Sequence, residues 1–244
     1  MLVVLVLAWE AVPRIWHVDS GMLPGPWLVG RSTWADRAGL GPAIWVSTQE
    51  ALLGMLVAVA FAVVLAIAVD WSRTVRRSLY PLMAASQTLP IIALAPLVVI
   101  WFGFGLWPKV ALVALFTFFA VAVGLVQGLA AADAEAMDLL RTMGASRLEL
   151  LRLVRLPGAL PQFFTGLKVA VTYAYVAAIV AEFVGAQQGL GVYMQASKNA
   201  LRTDLVFGAV LVTAALTLLL FATVSLVERL AQPWRRPPEK DSSW

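Results

Sequence analysis

Long apolar runs constrain this chain more than any other feature of its sequence. Every residue from 51 to 69 is apolar or glycine. At about 1.5 Å of rise per residue, a helix of this length crosses a hydrocarbon core of roughly 30 Å. Comparable runs cover residues 89–107, 110–126, 163–181 and 205–227. The sequence therefore predicts five membrane-spanning helices.

The N-terminal segment predicts a further, shorter span. Only residues 1–9 are cleanly apolar before Glu10, Pro13 and Arg14 interrupt the run. The segment lacks the charged start and the small-residue cleavage site of a signal peptide. We therefore expect an all-α, polytopic transmembrane helical bundle. Its parts are an N-terminal unit over residues 1–44, a core over residues 45–230 and a tail over residues 231–244.

Composition supports a membrane protein and excludes several other classes. Hydrophobic residues make up 61% of the chain and charged residues 13%, far from the values of an ordinary soluble domain. There is no cysteine and only one histidine, so a disulfide framework or a thiolate or histidine metal cluster cannot form. No basic patch suits nucleic acid.

The distribution of lysine and arginine predicts the orientation, because these residues resist translocation. With six spans and a cytoplasmic N-terminus, the inner segments hold Arg73, Arg76, Arg77, Arg141, Arg147, Arg152, Arg155, Arg229, Arg235, Arg236 and Lys240. The outer segments hold only Arg31, Arg37, Lys109, Lys198 and Arg202. Both termini are therefore expected in the cytoplasm.

The outer segment over residues 17–44 is rich in proline, glycine and tryptophan. Tryptophan favours the headgroup level of a bilayer, and a residue before proline favours extended backbone. We expect an ordered interfacial loop there.

The predicted inner loop over residues 130–161 contains the signals of two short helices. Asp133 is placed to cap the first helix, and Gly144 marks its end. Ser146 and Glu149 have the spacing of a capping box for the second helix, which Leu156 and Pro157 are expected to stop. This pattern predicts a helix, glycine turn, helix hairpin. It suits either an amphipathic element lying on the membrane or a docking element for a partner.

The spacing of this loop resembles the signature of binding-protein-dependent transport permeases. That signature is Glu-Ala-Ala, three residues, Gly, nine residues, Ile, one residue, Leu-Pro. Here Gly144 is followed after nine residues by Val154 in place of Ile, then by Leu156-Pro157, while Asp138-Leu139-Leu140 stands where the family has Glu-Ala-Ala. The departure at Leu139 and Leu140 concerns side-chain contacts and leaves the hairpin spacing intact.

Residues 140–146, Gly189-Leu190-Gly191 and Leu23-Pro24 are similar to the nitrate, sulfonate and taurine branch, which includes importers of a thiamine pyrimidine precursor. This resemblance implies a type I, MetI-like permease in the bacterial plasma membrane. It also implies a second copy of the permease, two cytoplasmic ATPases that hold the ATP and Mg, and an external substrate-binding protein. The implied ATPase-docking residues are Asp138, Leu139, Leu140, Arg141, Thr142, Met143, Gly144, Ala145, Ser146, Val154, Leu156 and Pro157.

A polar stripe marks the fifth of the six spans, over residues 163–181. Its members follow steps of three and four residues, which places them on one helix face: Thr165, Lys168, Thr172, Tyr175, Ile179 and Glu182. Because ionisable residues are costly in lipid, we expect this face to line a translocation path, which Ser86 and Gln87 of the third span would border. Snorkelling of Lys168 and interhelical hydrogen bonds by Thr172 and Tyr175 are the alternatives.

No lysine follows a glycine in this chain, so the sequence contains no phosphate loop for ATP. A subunit without catalytic residues of its own is therefore expected. A secondary transporter is the main rival, although such proteins usually have two related halves. A membrane enzyme would need convergent acids, bases or metal ligands, which this sequence does not suggest.

Overall fold

The computed structural model describes residues 2–15, 21–71 and 90–233, and the regular elements in these ranges are all helices. In chain order they are α1 (Leu2–Ile15), α2 (Pro26–Ala35), α3 (Arg37–Trp71), α4 (Ile91–Phe102), α5 (Leu106–Ala130), α6 (Ala134–Thr142), α7 (Arg147–Leu150), α8 (Leu156–Phe183), α9 (Leu190–Asn199) and α10 (Thr203–Ala231). A π-helical turn, Leu151–Arg155, joins α7 to α8. The predicted all-α class is confirmed.

Among the described residues, four helices are long and apolar enough to cross a membrane. They are α3, α5, α10 and the continuous helix Arg147–Phe183, and they contain four of the five predicted spans. The fifth, over residues 89–107, falls on α4, which has only 12 residues. Gly103 and Gly105 have positive φ angles and separate α4 from α5. The N-terminal α1 has 14 residues, which is shorter than the roughly 20 of a typical span.

The expected loop over residues 17–44 is wrong in its described part, because Pro26 begins α2 and Arg37 begins α3. Proline is well tolerated in the first helical turn, where its missing amide has no helical partner. With 35 residues, α3 is about 50 Å long. Its N-terminal part therefore extends past the apolar run and carries the polar residues Ser47 and Glu50.

Close packing of α5 on α8 forms the centre of the bundle, and α3 packs on α5. A β-carbon at Gly124 of α5 would lie 2.5 Å from the carbonyl oxygen of Gln162 on α8. A β-carbon at Gly166 of α8 would likewise collide with the backbone of Ala120 on α5. Small residues permit such close backbone approach, which stabilises helix pairs in a bilayer.

The bundle has two different ends. The hairpin end carries residues 131–155, between α5 and α8. The opposite end, called here the distal end, carries α9, whose buried Leu190 packs against Leu40 and Ala43 of α3. There the Tyr193 hydroxyl donates to Asp36 Oδ2 at 2.5 Å. Burial and this hydrogen bond raise the pKa of Tyr193, so the phenol remains a donor at neutral pH.

Candidate functional site

The hairpin at the hairpin end is built from local backbone contacts, as the sequence predicts. Asp133 Oδ1 accepts hydrogen bonds from two amides of the first turn of α6, at 2.9 and 3.4 Å. After α6, Gly144 adopts a φ of 84°. The Ala145 amide then donates to the Leu140 carbonyl at 2.9 Å. This closing bond is that of a Schellman motif, whose left-handed position favours glycine.

A capping box begins the second helix of the hairpin. Ser146 Oγ accepts from the Glu149 amide at 3.3 Å, and Glu149 Oε2 accepts from the Ser146 amide at 2.7 Å. Both reciprocal bonds of the predicted motif are therefore present. The turn between α6 and α7 is fixed on both sides.

The apolar face of the hairpin is uncovered. The exposed fractions of Leu139, Met143 and Leu148 are 63%, 74% and 46%, and α6 has no buried residue. An amphipathic helix normally buries its apolar face against another surface. No described residue covers the apolar face of the hairpin.

The other hairpin residues of the signature have weak local partners. Arg141 pairs with Asp138 at 2.9 Å, with both side chains exposed, and exposed pairs of this kind contribute little to stability. The Thr142 hydroxyl donates to the Leu139 carbonyl at 2.7 Å. These side chains are free to change partner at little cost.

The predicted helix stop at Leu156 and Pro157 is wrong. The π-helical turn, which contains Val154, carries α7 directly into α8. Proline usually clashes with the carbonyl four residues earlier, and the wider π-helical turn relieves that constraint. Helix Arg147–Phe183 is continuous over 37 residues, so the second helix of the hairpin and the span form one rod.

A salt bridge ties this rod to α3. Arg155 Nη1 donates to Asp70 Oδ2 at 2.5 Å, and both side chains are largely buried. The two residues are 85 positions apart in the chain. The base of the hairpin is therefore fixed to two spanning helices.

The predicted polar stripe divides between two environments. Thr165 and Thr172 are exposed. Lys168 instead pairs with Glu228 of α10 at 2.5 Å, Tyr175 donates to Thr48 of α3 at 3.3 Å, and Glu182 is buried. The six stripe positions span roughly 100° of the helix, so one edge faces outward and the other packs inside. Ser86 and Gln87 lie outside the described residues.

A groove of about 430 Å³ runs between α5 and α8 on the exposed side of the stripe. Of the stripe residues, only Thr165 lines it. Aromatic rings and amides form much of the remaining wall: Phe116, Phe119, Gln127, Gln162 and Tyr173. These residues were not among the predicted site residues, because the predicted path followed the polar stripe that contains Lys168 and Glu182. This wall could have been found from the three- and four-residue spacing of four exposed residues: Gln162, Thr165, Val169 and Tyr173.

Glu182 is the one predicted site residue in a buried polar cluster at the distal end of the described bundle. Glu50 of α3 pairs with Lys109 of α5, although Lys109 was assigned to an outer loop. Glu182 accepts from the Ser47 hydroxyl at 2.5 Å and from the Gly191 amide at 2.5 Å. The exposed fractions of Glu50, Ser47 and Glu182 are 0%, 0% and 1%. These contacts join α3 to α5 and α8 to α9.

The glycines of the Gly189-Leu190-Gly191 segment make room for this cluster. A β-carbon at Gly189, whose φ is 132°, would collide with the carboxylate of Glu182. A β-carbon at Gly191 would lie 2.7 Å from the Ile179 carbonyl oxygen. The Leu190 amide also donates to Ser47 Oγ at 2.8 Å. The start of α9 is therefore shaped around Glu182 and Ser47.

Comparisons with known proteins are consistent with this architecture. The family model described as "binding-protein-dependent transport system inner membrane component" matches residues 39–237. Formylaminopyrimidine transport permease protein ThiX of Halalkalibacterium halodurans is 36% identical over 229 residues, which cover 91% of this chain and 92% of that protein.

Further relatives differ in the solute that their names give. Riboflavin transport system permease protein RibX of Chloroflexus aurantiacus is 34% identical and taurine transport system permease protein TauC of Escherichia coli is 32% identical. Both alignments cover 96% of this chain. They cover 88% of RibX and 87% of TauC.

Solved structures show the same fold at low sequence identity. An amino acid ABC transporter solved with histidines has a TM-score of 0.64 at 16% identity, covering 84% of this chain and 97% of that chain. An inward-facing MetNI methionine ABC transporter has a TM-score of 0.59 at 18% identity, covering 84% of this chain and 99% of that one. The chain belongs to the binding-protein-dependent transport system inner membrane component family and is a membrane permease subunit of an ATP-binding-cassette importer.

Proposed function

We propose that the hairpin over residues 133–150 docks a cytoplasmic ATPase and transmits its motion to the spanning helices. The main support for docking is the exposed apolar face formed by Leu139, Met143 and Leu148. This face belongs to a hairpin whose turn is fixed by Gly144. A groove on a partner would bury this face and supply the missing surface. The ATP and Mg would be held by that partner.

The hairpin end would face the cytoplasm of a bacterial cell. Four arginines at this end support the orientation, because arginine resists translocation: Arg141, Arg147, Arg152 and Arg155. The distal end, with α9, would face the external substrate-binding protein. Both termini would then be cytoplasmic.

Motion of the hairpin would reach the groove through a rigid connection. Helix Arg147–Phe183 has the hairpin at one end and carries Gln162, Thr165 and Tyr173 along its length. The Asp70–Arg155 pair couples its base to α3. When two ATPases close on ATP, they would draw the hairpins of two permease copies together and tilt both rods. The groove between α5 and α8 would thereby change its opening.

The exposed face of α8 is the surface that we assign to the second copy and to the path. Its outward residues recur at steps of three and four: Gln162, Thr165, Val169, Thr172 and Val176. Lys168 does not contribute to this surface, because its ammonium group pairs with Glu228. The path residues would therefore be the threonines and amides, while Lys168, Tyr175 and Glu182 hold the helices together.

A docking test compares two glycine variants of the whole transporter. Gly144→Asp forces an aspartate into a left-handed turn beside the uncovered face. Gly158→Asp adds the same charge at an exposed position with open space around it. We expect Gly144→Asp to insert into the membrane but to lose ATPase co-purification and uptake, and Gly158→Asp to retain both. Normal uptake by Gly144→Asp would refute the docking role.

For the solute, we infer a neutral aromatic heterocycle of the pyrimidine type. Among the described residues, the groove is lined by phenylalanine, tyrosine, glutamine and threonine without a charged side chain. Rings suit stacking, and amides supply paired donors and acceptors. The relative named for formylaminopyrimidine agrees with this chemistry. A sulfonate such as taurine is the second candidate because of the relative named for it.

An uptake competition separates the two solutes. Cells carrying the complete transporter would take up labelled formylaminopyrimidine, and unlabelled taurine in excess would leave that uptake unchanged. Stronger competition by taurine than by unlabelled formylaminopyrimidine would assign the sulfonate instead.

A further inference from the structure

A polar pocket that is separate from the groove between α5 and α8 lies at the hairpin end. It has a volume of about 380 Å³ and lies between the end of α3 and the hairpin. Asp70 and Trp71 contribute one wall, and Arg141, Arg147 and Arg155 contribute most of the positive charge. None of these residues lines the groove between α5 and α8.

The charges in this pocket are not balanced by the described residues. Asp70 is already engaged by Arg155, and Arg141 pairs with Asp138 on the exposed side of α6. Arg147 has no carboxylate partner in the described part of the chain. With Arg155 paired to Asp70 and Arg141 paired to Asp138, the positive charge of Arg147 is left unbalanced at the pocket.

A buried donor of Arg155, one of the residues that line the pocket, also lacks an acceptor among the described residues. Arg155 Nε is shielded from solvent and has no hydrogen-bond partner among the described residues, although Nη1 of the same group is bound to Asp70. An unpaired buried donor is costly. An anionic ligand with several oxygens would pair with the exposed Arg147 and place negative charge beside the guanidinium group of Arg155.

The depth of the pocket points to the source of such an anion. Asp70 and Trp71 are the last residues of α3, which is long and apolar enough to span the membrane. Arg155 directly precedes α8, and Trp71 is 65% exposed. Tryptophan and arginine both favour the polar layer of a bilayer. The pocket therefore opens where phospholipid headgroups lie.

We propose that this pocket binds a phosphate group, supplied by an anionic phospholipid of the leaflet at the hairpin end. Guanidinium groups match phosphate oxygens in geometry and charge. Arg147 belongs to the hairpin, whereas Asp70 and Trp71 belong to a spanning helix. A bound headgroup lies between Arg147 and the pocket wall formed by Trp71.

The first test measures lipid retention by the purified transporter complex with native mass spectrometry. Phosphatidylglycerol is the probe and zwitterionic phosphatidylcholine is the comparison lipid. We expect Arg147→Gln to weaken phosphatidylglycerol binding about ten-fold, which corresponds to about 1.4 kcal/mol. Arg147→Lys keeps the charge and is expected to retain part of the binding.

Arg152→Gln is the matched control, because Arg152 lies on the adjacent π-helical turn, is exposed, and does not line the pocket. Its lipid retention should equal that of the unmodified protein. Equal retention by Arg147→Gln and the unmodified protein would overturn the site. So would an equal loss in both variants, or equal binding of phosphatidylcholine and phosphatidylglycerol.

A competition arm identifies the source of the phosphate. Inorganic phosphate and glycerol 3-phosphate are added in large molar excess over bound phosphatidylglycerol. Persistence of the lipid supports a phospholipid ligand. Displacement by either compound, sensitive to Arg147→Gln, keeps the phosphate site but overturns the lipid as its source.

Discussion

At the distal end charged side chains are buried within the bundle, whereas at the hairpin end apolar side chains are exposed. Glu50 and Glu182 are 0% and 1% exposed, while Leu139 and Met143 are 63% and 74% exposed. Both arrangements are costly in isolation. The distal end offsets much of its cost with contacts inside the chain, and we propose that a partner covers the exposed side chains of the hairpin end.

This difference has a consequence for mutations. Substitutions in the distal cluster should act mainly on folding stability, because their partners belong to the same chain. Substitutions on the hairpin face should act mainly on assembly, since that face has few intrachain contacts to lose. If substitutions at either end show the behaviour expected of the other end, the two ends do not differ in this way.

The largest expected effect is that of Lys109→Met at the distal end. This change leaves the Glu50 carboxylate buried without its charge partner, and such a loss typically costs about 3–5 kcal/mol. We expect a large drop in the thermal unfolding midpoint of the purified protein. Lys198→Met removes the same charge at an exposed position, and its midpoint should change by the equivalent of at most about 0.5 kcal/mol.

A double variant separates charge from packing. Combining Lys109→Met with Glu50→Gln removes both charges and should restore part of the lost stability, because a neutral amide is less costly to bury than a lone carboxylate. If Lys109→Met unfolds at the same temperature as Lys198→Met, the distal end does not depend on the pair.

The next effect concerns assembly and tests the hairpin end. The double variant Leu139→Ser and Met143→Ser should change the free energy of unfolding by no more than about 0.5 kcal/mol. It should weaken binding of the partner ATPase at least about ten-fold, since buried anchors dominate interface energies. Titration of the ATPase against detergent-solubilised permease measures the affinity.

Leu153→Ser is the control for this pair, because Leu153 is 64% exposed but lies on the π-helical turn beyond the hairpin. Its ATPase affinity should match that of the unmodified protein. An unfolding midpoint that falls in the double variant, with unchanged ATPase affinity, would reverse our assignment of this end.

The two ends also differ in how much of them the sequence could predict. Asp133, Gly144 and the Ser146–Glu149 box act over a few residues, so local pattern was sufficient for the hairpin. The distal cluster depends on Ser47 meeting Glu182 across 135 positions and on Glu50 meeting Lys109 across 59. No local pattern encodes such contacts.

The dependence on contacts between distant residues also explains why some observed helix boundaries differ from the predicted ones. Hydropathy located the apolar part of α3, but its polar start packs against α9 through tertiary contacts. Proline at position 26 predicts a loop and proline at position 157 predicts a helix end. Both predictions were wrong because the sequence alone does not show where the surrounding helices begin. The polar stripe was correctly periodic, yet only packing decides that Thr165 faces outward and Tyr175 inward.

The smallest expected effect compares two turns of similar geometry, one at each end. At the distal end Leu201 has a φ of 57°, and the Arg202 amide donates to the Ser197 carbonyl at 2.9 Å. The Ala145 amide makes the equivalent bond at the hairpin end, where the left-handed residue is Gly144. A left-handed conformation costs a non-glycine residue about 1–2 kcal/mol. Leu201→Gly removes this strain but adds unfolded-state entropy worth about 0.5–1 kcal/mol.

We therefore expect Leu201→Gly to stabilise the protein by less than about 1 kcal/mol, and Gly144→Ala to destabilise it by about 1 kcal/mol. Thermal unfolding of both variants measures the contrast. Gly158→Ala is the control, because this helical glycine has open space around it and gains about 1 kcal/mol of helix propensity. A lower midpoint for Leu201→Gly would mean that the leucine side chain stabilises the distal turn by more than its backbone strain costs.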